Sequence, residues 1–362
     1  MSLRVAIVGC GKIADGHVEE IAKMPELASV VAVCDREPLM AEQLAWRYGL
    51  APHYGDYEEL LAREKPEVVH VTTPPQSHLA LATRAVDAGA HVYVEKPLTP
   101  TYADSVRLVE HAERAERHLT VGYTYLFDPP AVAMRRLFAE GVLGAPVHVE
   151  STYGYDLSGS YGQALLADPS HWVHSLPGGL IQNNVDHVLN KMVELLDDDQ
   201  PSVAVEAWTR RKQRFGDSRD LLQDELRILV RARDVSAYGT FSSHARPVMH
   251  AQRVYGTLGT AHLDFVGRTV TLEPAPSLPG ALGRLLPAFS SANQYARAGL
   301  GNVWRFARSD FHFFAGLNRL FRLFYGSIID RTPPPISRRD IVRVSWLIEE
   351  VVTRLRRREA NP

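Results

Sequence analysis

Between Leu3 and Asp35 the chain reads strand, glycine loop, helix, strand, acid, and few folds accommodate that order. Leu-Arg-Val-Ala-Ile-Val (3–8) is a short apolar run of the kind buried in a parallel sheet. Gly9-Cys10-Gly11-Lys12-Ile13-Ala14 follows as G-x-G-x-x-A, and a helical pattern continues to about Met24. The next strand, Val30 to Cys34, ends on Asp35. In this setting Gly9 permits the tight turn, Gly11 lets the backbone approach a pyrophosphate, and Ala14 keeps helix and strand close. The helix N-terminus, with Lys12 and Ile13 in its first turn, offers N–H donors to the phosphates. Asp35 suits a ribose 2′-hydroxyl and repels a 2′-phosphate, which favours NAD. Arg36 beside it can accommodate that phosphate, so NADP stays open.

The alternation continues. Helices are expected at about 38–48, 58–62, 77–88 and 101–115, and strands at 68–72, 91–94 and 119–122. Strands separated by helices mean a parallel, doubly wound sheet with right-handed crossovers. The strand His91–Val94 runs into Glu95-Lys96-Pro97. Ligands of open α/β sheets bind beyond the carboxyl ends of the strands, so Lys96 is expected to face the cofactor cleft. Pro97 restricts Lys96 to extended conformations. The bland alternative is a solvated lysine at a strand end.

The 362 residues are too many for one ordinary domain and suggest two. A hydrophobic fraction of 45% and a net charge of −2 fit a globular protein with no signature of nucleic-acid binding. Two cysteines, Cys10 and Cys34, do not make a disulfide scaffold. No uninterrupted apolar run reaches the length of a spanning helix, and the first strand enters a glycine loop instead of a cleavage site. A cytoplasmic protein is the expectation.

In the second half, Gly178-Gly179 opens a periodic segment whose apolar face carries Ile181, Val185, Val188, Leu189 and Met192. Asn183 and His187 are four apart and lie one turn from each other on one face. Histidine is suited to proton transfer near neutral pH. His171 and His174 lie upstream, but no acid or cysteine has convincing ligand spacing, so no metal is expected. Tyr123, Tyr125, Tyr155 and Trp172 are candidate wall residues for a ligand, the last two within an expected irregular stretch, 153–177.

Five stretches in order, "VAIVGCGKIADGH", "VVHVTTPPQSHLALATRAVDAGAHVYVEKPL", "VGYTYLFDPP", "GGLIQNNVDHVLNKM" and "YGTLGTAHLDF", resemble the signatures of the Gfo/Idh/MocA (glucose–fructose oxidoreductase / inositol dehydrogenase) oxidoreductases. The resemblance implies a Rossmann domain over 1–125 and an α+β domain over 126–335 with an open, mostly antiparallel sheet. It also implies a C-terminal helix, 336–362, packing near the nucleotide domain, and a homo-oligomer, dimer or tetramer. It puts Lys96 at the catalytic lysine position and His187 at the catalytic histidine position. It adds Thr73, Pro74, His78 and Glu95 to the cofactor-binding set. The chain departs from the pattern at Asn183, where aspartate is usual, at Val185, where glycine is usual, and at Leu126, where many members carry arginine. Asparagine orients a hydroxyl but carries no proton or charge.

The resulting expectation is an NAD(P)-dependent dehydrogenase or reductase. Its substrate is a small carbohydrate-like molecule: a sugar, a nucleotide- or lipid-linked sugar derivative, or a cyclitol. Two alternatives stay open: a non-catalytic dinucleotide sensor, and an enzyme that holds NAD tightly without net turnover. Residues 274–325 fit the pattern least. They begin as an expected loop, "PAPSLPGALGRLLPAFSSA", and continue with Trp304, Phe306, Phe311 and Phe313 among arginines. Such a basic, aromatic helical pattern suits a membrane surface, a dimer contact, a substrate wall or plain core helices.

Overall fold

The computed structural model describes residues 2–50, 52–210, 223–275, 280–308 and 314–360. The chain divides into two compact units, Met1–Thr124 with Gly316–Ser345, and Tyr125–Ala315 with Trp346–Pro362.

The first unit runs β1 (Leu3–Val8), α1 (Lys12–Ala22), β2 (Ala28–Cys34), α2 (Pro38–Tyr48), β3 (His53–Tyr54), α3 (Tyr57–Glu64), β4 (Val68–Val71), α4 (His78–Asp87), β5 (His91–Val94), α5 (Tyr102–Arg114) and β6 (Leu119–Val121). The strands form one parallel sheet in the order β3-β2-β1-β4-β5-β6. This is the doubly wound sheet expected from the alternation. Its central strands are valine-rich and buried along their length, as a sheet covered by helices on both faces requires. Helix boundaries follow local chemistry. Asp56 accepts the Glu59 N–H at the start of α3, Thr101 accepts the Asp104 N–H at the start of α5, and α2 ends on Gly49 in the left-handed region. The edge strand β3 was not legible, because two polar residues carry no periodicity.

The second unit contains α6 (Pro129–Ala139), β7 (Pro146–Gly154), α7 (Ser160–Ala167), α8 (Gly179–Val193), β8 (Ser202–Trp208), β9 (Glu225–Arg231), β10 (Ser236–Ser242), β11 (His250–Gly256), β12 (Gly259–Asp264), β13 (Thr269–Pro274) and α9 (Gly280–Ala307). Seven strands lie in the order β13-β12-β11-β7-β10-β9-β8, antiparallel except for β7 with β10. The open, mostly antiparallel sheet expected from the resemblance is present. Helix α8 lies on β7 and β10. Ser151 donates to the Val188 carbonyl, and a Cβ on Gly239 would come within 2.8 Å of Val188 Cγ1, so the glycine sets how closely the helix approaches.

Helix α10 (Ala315–Ile329) joins the first unit from Gly316 onward, and α11 (Arg338–Ala360) is divided between the units at Ser345. The span 126–335, expected as one domain, is therefore split, because α10 buries its apolar face in the first unit. Two other expectations are corrected. The stretch 153–177 is not irregular throughout. Tyr153 belongs to β7, and 160–167 is helical because its glutamine, alanine and leucines favour a helix. The loop expected over 274–292 is helical from Gly280 onward. Pro287 removes one intrahelical bond, and the alanines, leucines and arginines around it sustain the rest. Phe311 and Phe313 lie outside the described residues.

Candidate active site

In the first unit the glycine loop is built as its sequence requires. Gly9 has φ +99°, and its N–H donates to the Cys34 carbonyl at 2.8 Å. A Cβ there would lie 2.6 Å from Thr73 Cγ2 and 2.7 Å from Thr73 N, so only glycine fits between β1 and the loop after β4. Gly11 is different: a Cβ on it would meet nothing within 4 Å. The space in front of Gly11 adjoins the first turn of α1. No side chain caps that helix, and its first N–H groups have no intrahelical carbonyl to reach. Asp35, half-buried, accepts from Cys10 N at 2.7 Å through one oxygen and from Glu37 N at 3.0 Å through the other. Each oxygen keeps a further lone pair for a ribose hydroxyl. Open space at Gly11, uncapped donors at Lys12 and Ile13 and an acid at the end of β2 fit a dinucleotide. Arg36 is exposed.

These two glycines give a paired prediction. Gly11→Ala should leave the thermal midpoint unchanged and weaken NADH binding by about tenfold or more, because its methyl enters the space a pyrophosphate needs. Gly9→Ala should destabilise the unit by about 2–4 kcal/mol, combining left-handed strain with overpacking. Thermal unfolding and nicotinamide-fluorescence titration separate the two effects.

Around Thr73 and Pro74 the loop after β4 is held from behind. His78 is fully buried, and its ring nitrogens face the carbonyls of Thr73 at 2.7 Å, Leu98 at 3.0 Å and Pro97 at 3.1 Å. His78 was expected to line the cofactor. Its buried ring instead ties the Thr73 loop to the segment after β5. Tyr123, expected as a substrate contact, is 1% exposed and belongs to the core.

Lys96, half-buried, stands just beyond the carboxyl end of β5, and its peptide bond to Pro97 is cis. Its N–H donates to Glu95 Oε2 at 3.2 Å. Glu95 is buried beneath it. Burial alone would raise this carboxyl, but the hydrogen bond and charge of His17, followed by the charge of Lys96, hold it below the usual range. Behind Glu95 runs a buried chain that sequence reasoning missed. His17 Nε2 is 3.0 Å from Glu95 Oε1, His17 Nδ1 is 2.8 Å from His70 Nδ1, and His70 Nε2 is 2.9 Å from the Tyr325 hydroxyl on α10. Burial keeps His70 well below the ordinary histidine pKa, so it is neutral. With His17 Nε2–H donating to Glu95, a single donor order satisfies the bonds that link His17, His70 and Tyr325. The signal available in the sequence was a histidine inside the apolar strand Val-Val-His-Val (68–71), where only a satisfied ring can be buried.

In the second unit, Asn183 and His187 lie one turn apart on α8, both buried. The His187 ring has two tyrosines around it, with centroids 5.0 Å from Tyr125 and 4.5 Å from Tyr153. Asp186 accepts the His187 N–H at 2.8 Å, and its carboxylate lies 3.8 Å from His187 Nδ1. His250 on β11 stands 4.1 Å from Tyr125 and 5.3 Å from Tyr153, centroid to centroid. Burial raises Tyr125 to about 12 and pushes Tyr153 well above the usual tyrosine range, so both are neutral near pH 7. One turn beyond His187 on the same face is Lys191, also buried. Its Nζ is 3.3 Å from the Thr152 carbonyl and 4.9 Å from the Phe265 ring centre. Burial lowers Lys191 from 10.5 to about 7, with the charge of Asp128 opposing. His250 and Lys191 were not singled out in the sequence, and Tyr153 was expected only as an aromatic of the irregular stretch 153–177. Lys191 had a signal, the spacing 183–187–191 along one helix face. Tyr155 and Trp172 are both half-buried, and Trp172 stacks on His171 at 5.4 Å.

The parallel sheet, the uncapped helix behind a glycine loop and the acid closing β2 define a Rossmann-type dinucleotide-binding protein. Residues 3–123 match the Gfo/Idh/MocA family model, described as "Oxidoreductase family, NAD-binding Rossmann fold". An inositol 2-dehydrogenase of Salmonella paratyphi B is 31% identical over 155 residues, 42% of this chain and 46% of that protein, so the chain spans about half the length of the curated relatives it matches. Among solved structures, the WlbA dehydrogenase of Bordetella pertussis with NADH and UDP-GlcNAcA is similar at a TM-score of 0.76 and 17% identity, covering 98% of this chain and 96% of that one. A levoglucosan dehydrogenase with NADH and levoglucosan is similar at 0.76 and 18%, covering 99% and 98%. At these identities the likeness establishes the fold.

Proposed function

We propose that this chain is an NAD-dependent oxidoreductase that moves a hydride between the nicotinamide and a secondary alcohol or ketone of a sugar, a sugar derivative or a cyclitol. The observation that carries the proposal is His187 on α8, one turn from Asn183 and flanked by the Tyr125 and Tyr153 rings. The carbohydrate class is supported by the relatives: inositol 2-dehydrogenases, and structures holding levoglucosan or UDP-GlcNAcA. Bound NAD would supply the hydride acceptor, held by the Gly9–Ile13 loop and Asp35. His187 takes or returns the hydroxyl proton, and Lys96 stabilises the developing alkoxide. Asn183 orients the hydroxyl without adding charge. Tyr125 and Tyr153, neutral near pH 7, hold the His187 ring and exclude water from it.

Asn183 in place of aspartate favours one second reading, a dinucleotide sensor without turnover. The two are separated by titrating NADH and NADPH, then following nicotinamide absorbance with a panel of sugars, cyclitols and sugar nucleotides. Turnover that falls about 10²–10⁴-fold in His187→Ala supports the enzyme. Tight NADH binding with turnover that His187→Ala leaves untouched would remove His187 from the chemistry.

The expected homo-oligomer has a candidate face. Trp208, Leu229 and Tyr238 are exposed on the side of the second sheet away from α8. We place a second copy of this chain on this mixed face, where Arg227 stacks over Trp208 and Glu206 and Arg231 are also exposed.

A further inference from the structure

Helix α9 is amphipathic in the wrong direction for a helix of a globular protein. The residues facing its own unit are small or polar, and the large apolar ones are exposed. Gln294 accepts the Leu272 N–H at 2.7 Å and donates to the Leu272 carbonyl at 2.9 Å, satisfying the outer edge of β13. Asn302 donates to the Gly267 carbonyl at 2.7 Å in the turn before that strand. Ser291, Ala298 and Gly301 keep the same side lean. The opposite side carries Leu285, Phe289, Leu300, Val303, Trp304 and Phe306, each between 56% and 74% exposed. At about 100° per residue these side chains spread over roughly half the helix circumference, with Asn293 the one polar residue inside the arc. The face runs from Leu285 to Phe306, so it is about 30 Å long.

Its charge is equally one-sided. Residues 280–308 contain four arginines, Arg284, Arg297, Arg305 and Arg308, and no aspartate, glutamate or lysine. Arg297 and Arg308 fall at one border of the apolar arc and Arg284 at the other. Arg308 stacks over the Trp304 ring at 3.6 Å, which presents the guanidinium beside the apolar face. Two copies of this face packed on each other about a two-fold axis would bring arginines together with no acid on either helix to answer them. No described helix is long and apolar enough to cross a membrane.

We propose that α9 docks this protein on the surface of an anionic lipid bilayer. The helix lies in the interface plane, its apolar face among the acyl chains and its bordering arginines against the lipid phosphates. The polar side that would usually be solvated is instead fastened to β13, so the helix is held in place before any lipid is met.

Flotation of the full chain with vesicles tests this. Phosphatidylcholine vesicles carrying about 30% phosphatidylglycerol should recover the protein at least about tenfold better than phosphatidylcholine alone. Phe289→Asp and Leu300→Asp should each cut that recovery about tenfold. Both positions are exposed, so far-UV circular dichroism and thermal midpoint should stay at wild-type values. Arg297→Gln with Arg308→Gln should lower binding to the anionic vesicles and remove much of its salt dependence. Two results would overturn the proposal. One is no flotation with either composition. The other is a wild-type dimer that Leu300→Asp converts to monomer without any vesicle binding, which would make the face a contact between copies.

Discussion

Lys96→Met is expected to reduce turnover by about 10²–10⁴-fold, with NADH affinity unchanged. Methionine keeps the length of the side chain and removes its charge and protons. The loss should fall in kcat, because an ammonium aimed at a developing alkoxide acts most strongly when that charge appears. The surroundings of Lys96 make this a local change. Its backbone is fixed by the bond to Glu95 and by the sheet, and Glu95 is fixed in turn by His17. Single-turnover and steady-state rates with whichever substrate the panel identifies provide the measurement. Turnover that survives in Lys96→Met would mean that the lysine is only a solvated strand end.

The second large effect is on stability and runs opposite to the usual cost of a core substitution. Lys191→Met should stabilise the second unit at pH 7 by about 1–3 kcal/mol. The physical reason is linkage. Burial lowers the folded-state pKa of Lys191 from 10.5 to about 7, so the unfolded chain binds a proton that the folded chain resists. Above about pH 10.5 both states are neutral and nothing is lost. As the pH falls from there to 7 the wild-type chain loses stability progressively, and below 7 the penalty is complete. Each pKa unit corresponds to about 1.4 kcal/mol, an upper bound that the Thr152 carbonyl and the Phe265 ring partly offset. Thermal midpoints of the two proteins from pH 6 to pH 10.5 give the test. The difference should be largest near neutrality and close at the alkaline end. A variant less stable than wild type at pH 7 would show that the buried ammonium is net stabilising.

Much of the first unit was legible because its signals are local. Each strand except β3 is a short apolar run, most helices have a periodic face or a cap, and a glycine loop followed by an acid tolerates few other readings. The same holds for α8, whose spacing put Asn183 and His187 on one face. Other features depended on contacts that spacing cannot reveal. His78 occupies a family position expected to line the cofactor, yet it is a buried tie between loops. Tyr123 follows a strand like Tyr125 two residues on, but only Tyr125 stands beside His187. Tyr153 and His250 come to that ring from strands whose pairing joins residues far apart in the chain.

What the sequence by itself determined, then, is the parallel nucleotide unit, the position of Lys96 at a strand end and the helix face shared by Asn183 and His187. All of these follow from periodicity and from residues that act within a few positions of themselves. Only the tertiary structure decided that α10 joins the first unit, that Glu95 is anchored by two histidines and a tyrosine from α10, and that α9 turns its apolar side outward. Those depend on which surfaces meet, and a helix with one apolar and one polar face does not say which of the two the rest of the chain will cover.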